Sequence, residues 1–399
     1  MNHIDESALK GFKYLKPLWP ILKKIPPENS HPPRRLHYDQ YISFVLFYFF
    51  NPTLTGVRSI QKASKLEKVQ KVLGVKSTSL GSFSEAGHVF DHTLLPPMIK
   101  KLAQKALPQE TDPQLKDLEK TLVAFDGSLL PALPKMIWAL WLDEDHKAAK
   151  LHLEFDLLKS VPTQASLTHG NENEKTILRK QLSPGKIYVL DAGYAQYSLL
   201  QDILKARSSF VCRLRDNAVW KTLYEKNLSP EDRKAGVQRD LVVRLGSKAK
   251  KDCLPTPVRV IEIHHFDPVS RPRPSRVSSK KTFRTTNSDY VFLVVTDLLE
   301  VPAEVIALIY RFRWQIELFF RWFKCILRCK HFLSLSENGL AIQIYCALIA
   351  SLLISLWSGR KPDKRTYEML CLYMQGWASD KELEEYLKSL KKVEKKKIS

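Results

Sequence analysis

Residues 186–193 read Lys-Ile-Tyr-Val-Leu-Asp-Ala-Gly. The four apolar residues from Ile187 to Leu190 follow one another without polar alternation, which is the pattern of a strand covered on both faces. The run stops on Asp191. A second run has the same form: Leu122-Val-Ala-Phe125 stops on Asp126, followed by Gly127-Ser128. A carboxylate at the carboxyl end of a buried strand is costly to desolvate unless it is capped, paired or bound to a cation. One such Asp is ordinarily a turn former. Two of them, with Glu317 arriving on a later helix, fit an all-oxygen site for hard divalent ions such as Mg²⁺ or Mn²⁺.

Working outward, the short apolar runs Thr121 to Phe125, Met136 to Leu142 and Leu151 to Leu158 predict successive strands. A polar helix follows over Asn173 to Gln181, then the strand ending at Leu190, a helix over Gln196 to Leu204 and a strand over Ser209 to Leu214. This order predicts an α/β fold, a mixed sheet with helices on its faces. Between Asn217 and Glu300, strand signals at 241–245, 258–263 and 290–295 predict a β-rich insertion. Within it, residues 268–285 hold six Arg and Lys and no acid, a mobile basic loop. Tyr41 to Leu107 reads as short helices with basic faces and no strand pattern, which suits a small DNA-binding bundle. The last third is helical: Pro302 to Arg328, Leu340 to Trp357 and Asp380 to Lys397, with a frayed lysine-rich end.

Composition narrows the partner. Sixty-three Lys and Arg against 42 Asp and Glu in 399 residues give a formal charge of +21, which points to a polyanion. Hydrophobic residues at 44% exclude wholesale disorder. The six scattered cysteines lack a CxxC pair, so a reduced cytosolic setting is expected and no structural zinc. No signal peptide is expected after Met1. Leu340 to Trp357 reaches membrane-spanning length, but Gln343, Ser351 and Ser355 interrupt it, and a buried helix is the better reading.

Residues 303–328 hold no Pro or Gly, which predicts one long helix. At about 100° per residue, Tyr310, Arg313, Glu317, Arg321 and Lys324 share one polar stripe, while Val305, Ile309, Phe312, Ile316, Phe319 and Phe323 form an apolar stripe opposite. Alone, the polar stripe reads as a structural ladder of i,i+4 ion pairs sooner than as a site.

The spacing Tyr310-(2)-Arg313-(3)-Glu317-(6)-Lys324 resembles the Y-(2)-R-(3)-E-(6)-K signature of the IS-four family of bacterial insertion-sequence transposases. Ala124-Phe-Asp-Gly-Ser128, Val189-Leu-Asp-Ala-Gly-Tyr194 and Phe210-Val-Cys-Arg-Leu-Arg-Asp-Asn217 are similar to that family too. The resemblance implies a DDE triad of Asp126, Asp191 and Glu317 on an RNase H-like sheet, holding two Mg²⁺ or Mn²⁺ ions. It implies that Tyr310, Arg313 and Lys324 grip DNA, and Arg321 on the same stripe is a further candidate for DNA contact. It further implies excision of a DNA element bounded by terminal inverted repeats and joining to target DNA, by a homodimer in the synaptic complex in the bacterial cytoplasm, with no membrane partner. Alternatives are a DNA-binding descendant that no longer catalyses, or a metal-dependent nuclease. The organisation expected is an N-terminal helical DNA-binding region (1–115), catalytic core (116–217), β-rich insertion (218–300), the core's helical completion (301–360) and a basic helical tail (361–399).

Overall fold

The computed structural model describes residues 36–73, 76–109, 112–116, 118–131, 148–247, 252–265, 290–326 and 332–398, together with positions 18, 20, 136, 138 and 139. Among the described stretches of sequence, five helices come first: α1 (Tyr38–Phe50), α2 (Val57–Ala63), α3 (Glu67–Leu73), α4 (Leu80–Val89) and α5 (Pro96–Lys105). The short α6 (Pro113–Lys116) leads to strands β1 (Thr121–Pro131), β2 (Ala148–Asp156) and β3 (Val161–His169). Then come α7 (Glu174–Gln181), β4 (Lys186–Leu190), α8 (Tyr197–Lys205), β5 (Ser209–Arg213), β6 (Trp220–Glu225), α9 (Pro230–Lys234), β7 (Val237–Ser247), β8 (Asp252–Cys253), β9 (Val258–His265) and β10 (Tyr290–Thr296). The chain finishes with α10 (Ala303–Phe312), α11 (Trp314–Ile326), α12 (Glu337–Ser358), α13 (Lys364–Met374) and α14 (Asp380–Ile398).

These elements form two compact units. A sheet unit comprises Asp112–Phe125 and Lys175–Trp314, and a helical unit comprises Met1–Thr111, Asp126–Glu174 and Gln315–Ser399. In the sheet unit, the first half of β1 runs parallel to β4, from Thr121 opposite Lys186 to Ala124 opposite Val189. β4 runs parallel to β5. The sheet then continues antiparallel through β10, β9, β7 and β6, with β8 on β7. The β-rich insertion therefore extends the core sheet and is not a separate layer. The runs without alternation are buried as their patterns require: Tyr188, Val189, Leu190, Phe210 and Val211 have no exposed surface. Ile177, Leu178, Leu199, Leu200 and Ile203 from α7 and α8 join the same core cluster.

One charge lies inside this sheet. Arg259 of β9 is buried and grips Asp240 of β7 with a fork, Nε to Oδ1 at 3.0 Å and Nη2 to Oδ2 at 2.6 Å. Its remaining nitrogen, Nη1, donates to the carbonyls of Leu298, Leu299 and Val301, in the turn that leads into α10. A buried guanidinium of this kind is tolerated only when its donors are satisfied.

The helical unit is built around α12. Its sequence is apolar on every side, and a helix of that kind must be enclosed. It packs against α1, α4, α5 and β3. Of the described helices it is the one long and apolar enough to cross a membrane, yet 94% of its apolar window is buried within the protein. Ser336 caps its start by accepting the Gly339 N–H at 3.0 Å. Asn338 then ties it to the end of α4: its amide donates to the carbonyls of Gly87 and Phe90, and its oxygen accepts the His92 N–H.

Several sequence expectations are corrected. The strand expected at Met136 to Leu142 falls mostly outside the described residues, and Met136, Trp138 and Ala139 lie in no strand. The partner of β2 is instead β3, whose Val-Pro-Thr-Gln-Ala-Ser-Leu-Thr-His is too polar to read as an apolar run. The single helix expected over 302–328 is two. Arg313 keeps helical dihedrals, but its N–H turns to the Tyr310 carbonyl at 3.1 Å, a tighter turn that separates α10 from α11. Helix α13 falls within the tail expected to be helical, ahead of the helix expected from Asp380, and α14 stays helical to Ile398 where fraying was expected. The basic loop at 268–285 lies outside the described residues.

Asp240→Ala would strand the Arg259 charge in the sheet and is expected to cost about 3–5 kcal/mol of stability in a denaturant titration. The half-exposed fork between Arg239 and Glu225 provides the contrast, and Glu225→Ala is expected to leave the unfolding midpoint nearly unchanged.

Candidate functional site

Asp191 stands immediately past β4, half-buried, at the head of a single 3₁₀ turn over Ala192–Tyr194. Its Oδ1 accepts the Gly193 N–H at 2.8 Å. A Cβ at residue 193 would come within 2.9 Å of that oxygen, so the close approach needs glycine. From below, the fully buried Cys212 donates its thiol to the Asp191 carbonyl at 3.5 Å. Burial pushes this thiol up, the charge of Asp191 pushes it further, and Arg313 pulls it back. Cys212 thus lies in the field of both residues.

Beside this turn four side chains form a layered array. The Arg213 guanidinium lies over the Phe292 ring, 5.6 Å from its centroid. Phe292 leans on Tyr310 at 5.4 Å between centroids, and Arg313 lies over Tyr310 at 5.9 Å. Each cation faces a ring, the arrangement of cation–π attraction. Arg213 ends β5, Phe292 sits on β10, and the register pairing Arg213 with Val294 brings them together. Tyr310 comes from the last turn of α10, and Arg313 is the residue just past its end. The Tyr310 hydroxyl is pushed up mainly by burial, and Arg313 and Arg213 pull it down. The sheet unit therefore holds Asp191, Tyr310 and Arg313 together with Arg213, Phe292 and Cys212. The sequence signal for these was the stretch 210–217, whose Arg213 sits at the end of a buried strand.

The other predicted residues belong to the helical unit. Asp126 is half-buried on β1, with its Oδ1 on the Gly127 N–H at 2.9 Å. Gly127 lies against Glu174, whose Oε1 would be 2.6 Å from a Cβ there, and Glu174 pairs with Lys150 at 3.5 Å. On α11, Ile316, Phe319, Phe320, Trp322 and Phe323 are buried, Glu317 and Lys324 are half-buried, and Arg321 is exposed. Phe319 packs on Phe155 of β2 at 5.1 Å. Gln315 accepts the Ser160 hydroxyl at 3.0 Å, fixing the start of α11 to the β2–β3 turn. Among the described residues, no group of three or more His, Cys, Asp or Glu side chains is drawn together tightly enough to hold a metal ion.

Residues 117–353 match the family model described as "Transposase DDE domain". Over 212 residues the chain is 29% identical to a Sinorhizobium fredii protein named as a transposase, covering 53% of each chain. Over 253 residues it is 26% identical to the probable transposase of insertion sequence element IS5377 from Geobacillus stearothermophilus, covering 63% of this chain and 58% of that one. It is 24% identical over 238 residues to the transposase of element IS231C from Bacillus thuringiensis subsp. berliner, covering 52% and 49%. The match spans roughly half the length of these relatives. Among solved structures, the piggyBac transposase in a synaptic complex with hairpin DNA is similar at a TM-score of 0.39 and 11% identity, covering 96% of this chain and 81% of that one, a likeness too distant to carry an inference.

Arg313→Met would remove the stronger of the two cations that pull on Tyr310. The Tyr310 titration is expected to move to higher pH, read by NMR of tyrosine-labelled protein, because removing a positive charge disfavours the phenolate.

Proposed function

The chain belongs to the family of transposase DDE domains, and on that premise we propose that it is an insertion-sequence transposase that cuts element ends and joins them to target DNA. The observation that carries this reading is a register. Ala124 of β1 pairs with Val189 of β4, and Asp126 and Asp191 each follow two residues on. Within the sheet unit, the register of Val189 with Val211 leads from Asp191 to Arg213 and its array with Phe292, Tyr310 and Arg313. An acid past the end of β4 and cations layered on aromatic rings suit a phosphodiester held beside a cation site.

Asp126, Asp191 and Glu317 are the proposed metal ligands. Their donor set is oxygen only, with one oxygen of each aspartate already oriented by a backbone N–H, which fits hard cations better than zinc. Bound there, two Mg²⁺ or Mn²⁺ ions would supply the activation of the attacking oxygen and the stabilisation of the leaving one. The chain's own side chains orient the strand. Arg313 offers a fork to a phosphate, Tyr310 donates its hydroxyl, and Arg321 and Lys324 add charge along the backbone. The fold proposed for this chemistry is RNase H-like, with Glu317 delivered on α11 after the β-rich insertion. The substrate is double-stranded DNA with terminal inverted repeats. The N-terminal helices (1–115) contribute DNA contacts, and the protein works as a homodimer in the bacterial cytoplasm.

Alanine at Asp126, Asp191 or Glu317 is expected to bring cleavage of element-end DNA to background while end binding stays measurable by gel shift. A cleaving variant would remove that residue from the triad. Arg313→Ala and Lys324→Ala are each expected to flatten the slope of log binding constant against log salt by about 0.9 for every phosphate no longer neutralised. An unchanged slope would assign the two residues elsewhere.

A further inference from the structure

Two features of the helical unit, at opposite ends of α13, complement each other. The first is a cavity of about 480 Å³ floored by Phe155, Leu318, Phe319 and Trp322. Arg321, Lys361 and Lys364 stand around it, and the one acid there, Asp363, is already held by Arg360 and by the Thr366 N–H. The second is Trp377, 81% exposed beside the half-exposed Leu372. Trp377 is not on a loose tip. Gly376, at φ +87°, ends α13, and the Trp377 N–H returns to the Leu372 carbonyl at 3.0 Å, closing a Schellman turn that presents the indole. The residues after it, Asp380, Glu382, Glu384 and Glu385, are exposed acids. Asp380 accepts the Tyr373 hydroxyl, Glu382 caps Ser379, and Glu384 and Glu385 make only 4.0 Å pairs with Lys388 and Lys381.

An aromatic knob with an acidic collar and an apolar hole with a cationic rim are complementary in shape and sign. They cannot meet within one chain, because α13, 11 residues long, spans about 16 Å between them. We propose that Trp377 of one copy inserts into the cavity of a second copy, and reciprocally, making a twofold interface. Because knob and hole lie at the two ends of one helix, a twofold axis across the middle of α13 carries each Trp377 to the other copy's hole. Such an interface closes on itself instead of propagating. A tryptophan seated in an apolar pocket buries about 150–250 Å² and is the usual anchor of an interface. The inference rests on the homodimer proposed above and names its dimer surface, independently of the DNA chemistry.

Sedimentation equilibrium of the full chain, with no DNA, tests it. The wild type is expected to dimerise. Trp377→Ala, a surface change, and Leu318→Arg, which puts a charge in the hole, are each expected to weaken dimerisation at least tenfold with circular dichroism unchanged. An equimolar mixture of the two variants retains one intact knob and one intact hole and is expected to dimerise more tightly than either alone. A wild type that stays monomeric would overturn this interface, which needs no DNA to form, and would leave the synaptic homodimer to contacts made through DNA. A dimer that Trp377→Ala leaves unchanged would overturn the interface alone, as would a Trp377→Ala variant that dimerises normally but binds DNA more weakly. A mixture no tighter than the single variants would overturn the reciprocal seating.

Discussion

The buried guanidinium of Arg259 is the fixed point of the sheet unit. It joins β7 to β9 through Asp240 and holds three carbonyls of the turn at 298–301. That turn starts α10, and α10 carries Tyr310 and leads to Arg313. The same ion pair that closes the insertion strands onto the sheet therefore sets the level at which Tyr310 of α10 meets Phe292. An apolar pair of equal size could match its stability, but would take the Arg259 donor from the Leu298 and Val301 carbonyls, while that of Leu299 keeps Lys226.

Around that frame the site is arranged by alternation. Odd-numbered residues of β4 and β5 face α10, and even-numbered ones face α7 and α8. Tyr188, Leu190, Phe210 and Cys212 fill the second side, so Asp191 and Arg213 emerge on the first. Cys212 belongs to the buried side yet reaches the Asp191 carbonyl, which makes it a prop under the acid. Tyr310 feels two opposed influences: burial discourages its ionisation, and two guanidinium groups favour it. The hydroxyl remains a donor, which is the form a phosphate oxygen would meet.

The readable parts of the sequence were those where one physical demand acted alone. Ile187 to Leu190 had to be covered on both sides, and α12, apolar all round, had to be enclosed. The end of β5 was readable as a strand, but nothing in one dimension shows that Arg213 stacks on a ring contributed by a residue 79 positions later. β3 escaped because Pro162, Thr163, Gln164 and Ser166 suit a half-covered strand whose pattern is weak. The break at Arg313 left no composition mark, since the residue keeps helical dihedrals and changes only its hydrogen-bond partner. The hole beside α11 needed Phe155, Phe319 and Lys361 from three separate stretches. Trp377 stood in the sequence as an ordinary aromatic until its turn and exposure were seen.

The central place of α12 has a consequence for how the protein is made. Helices α1, α4 and α5 wrap a helix that leaves the ribosome more than two hundred residues after them, and Tyr367 hydrogen-bonds the Phe49 carbonyl across 318 positions. Until α12 has emerged, the early helices have no core to close upon and their apolar faces stay open to chaperones and proteases. A chain cut short before α12 would therefore be left with those faces uncovered and marked for removal.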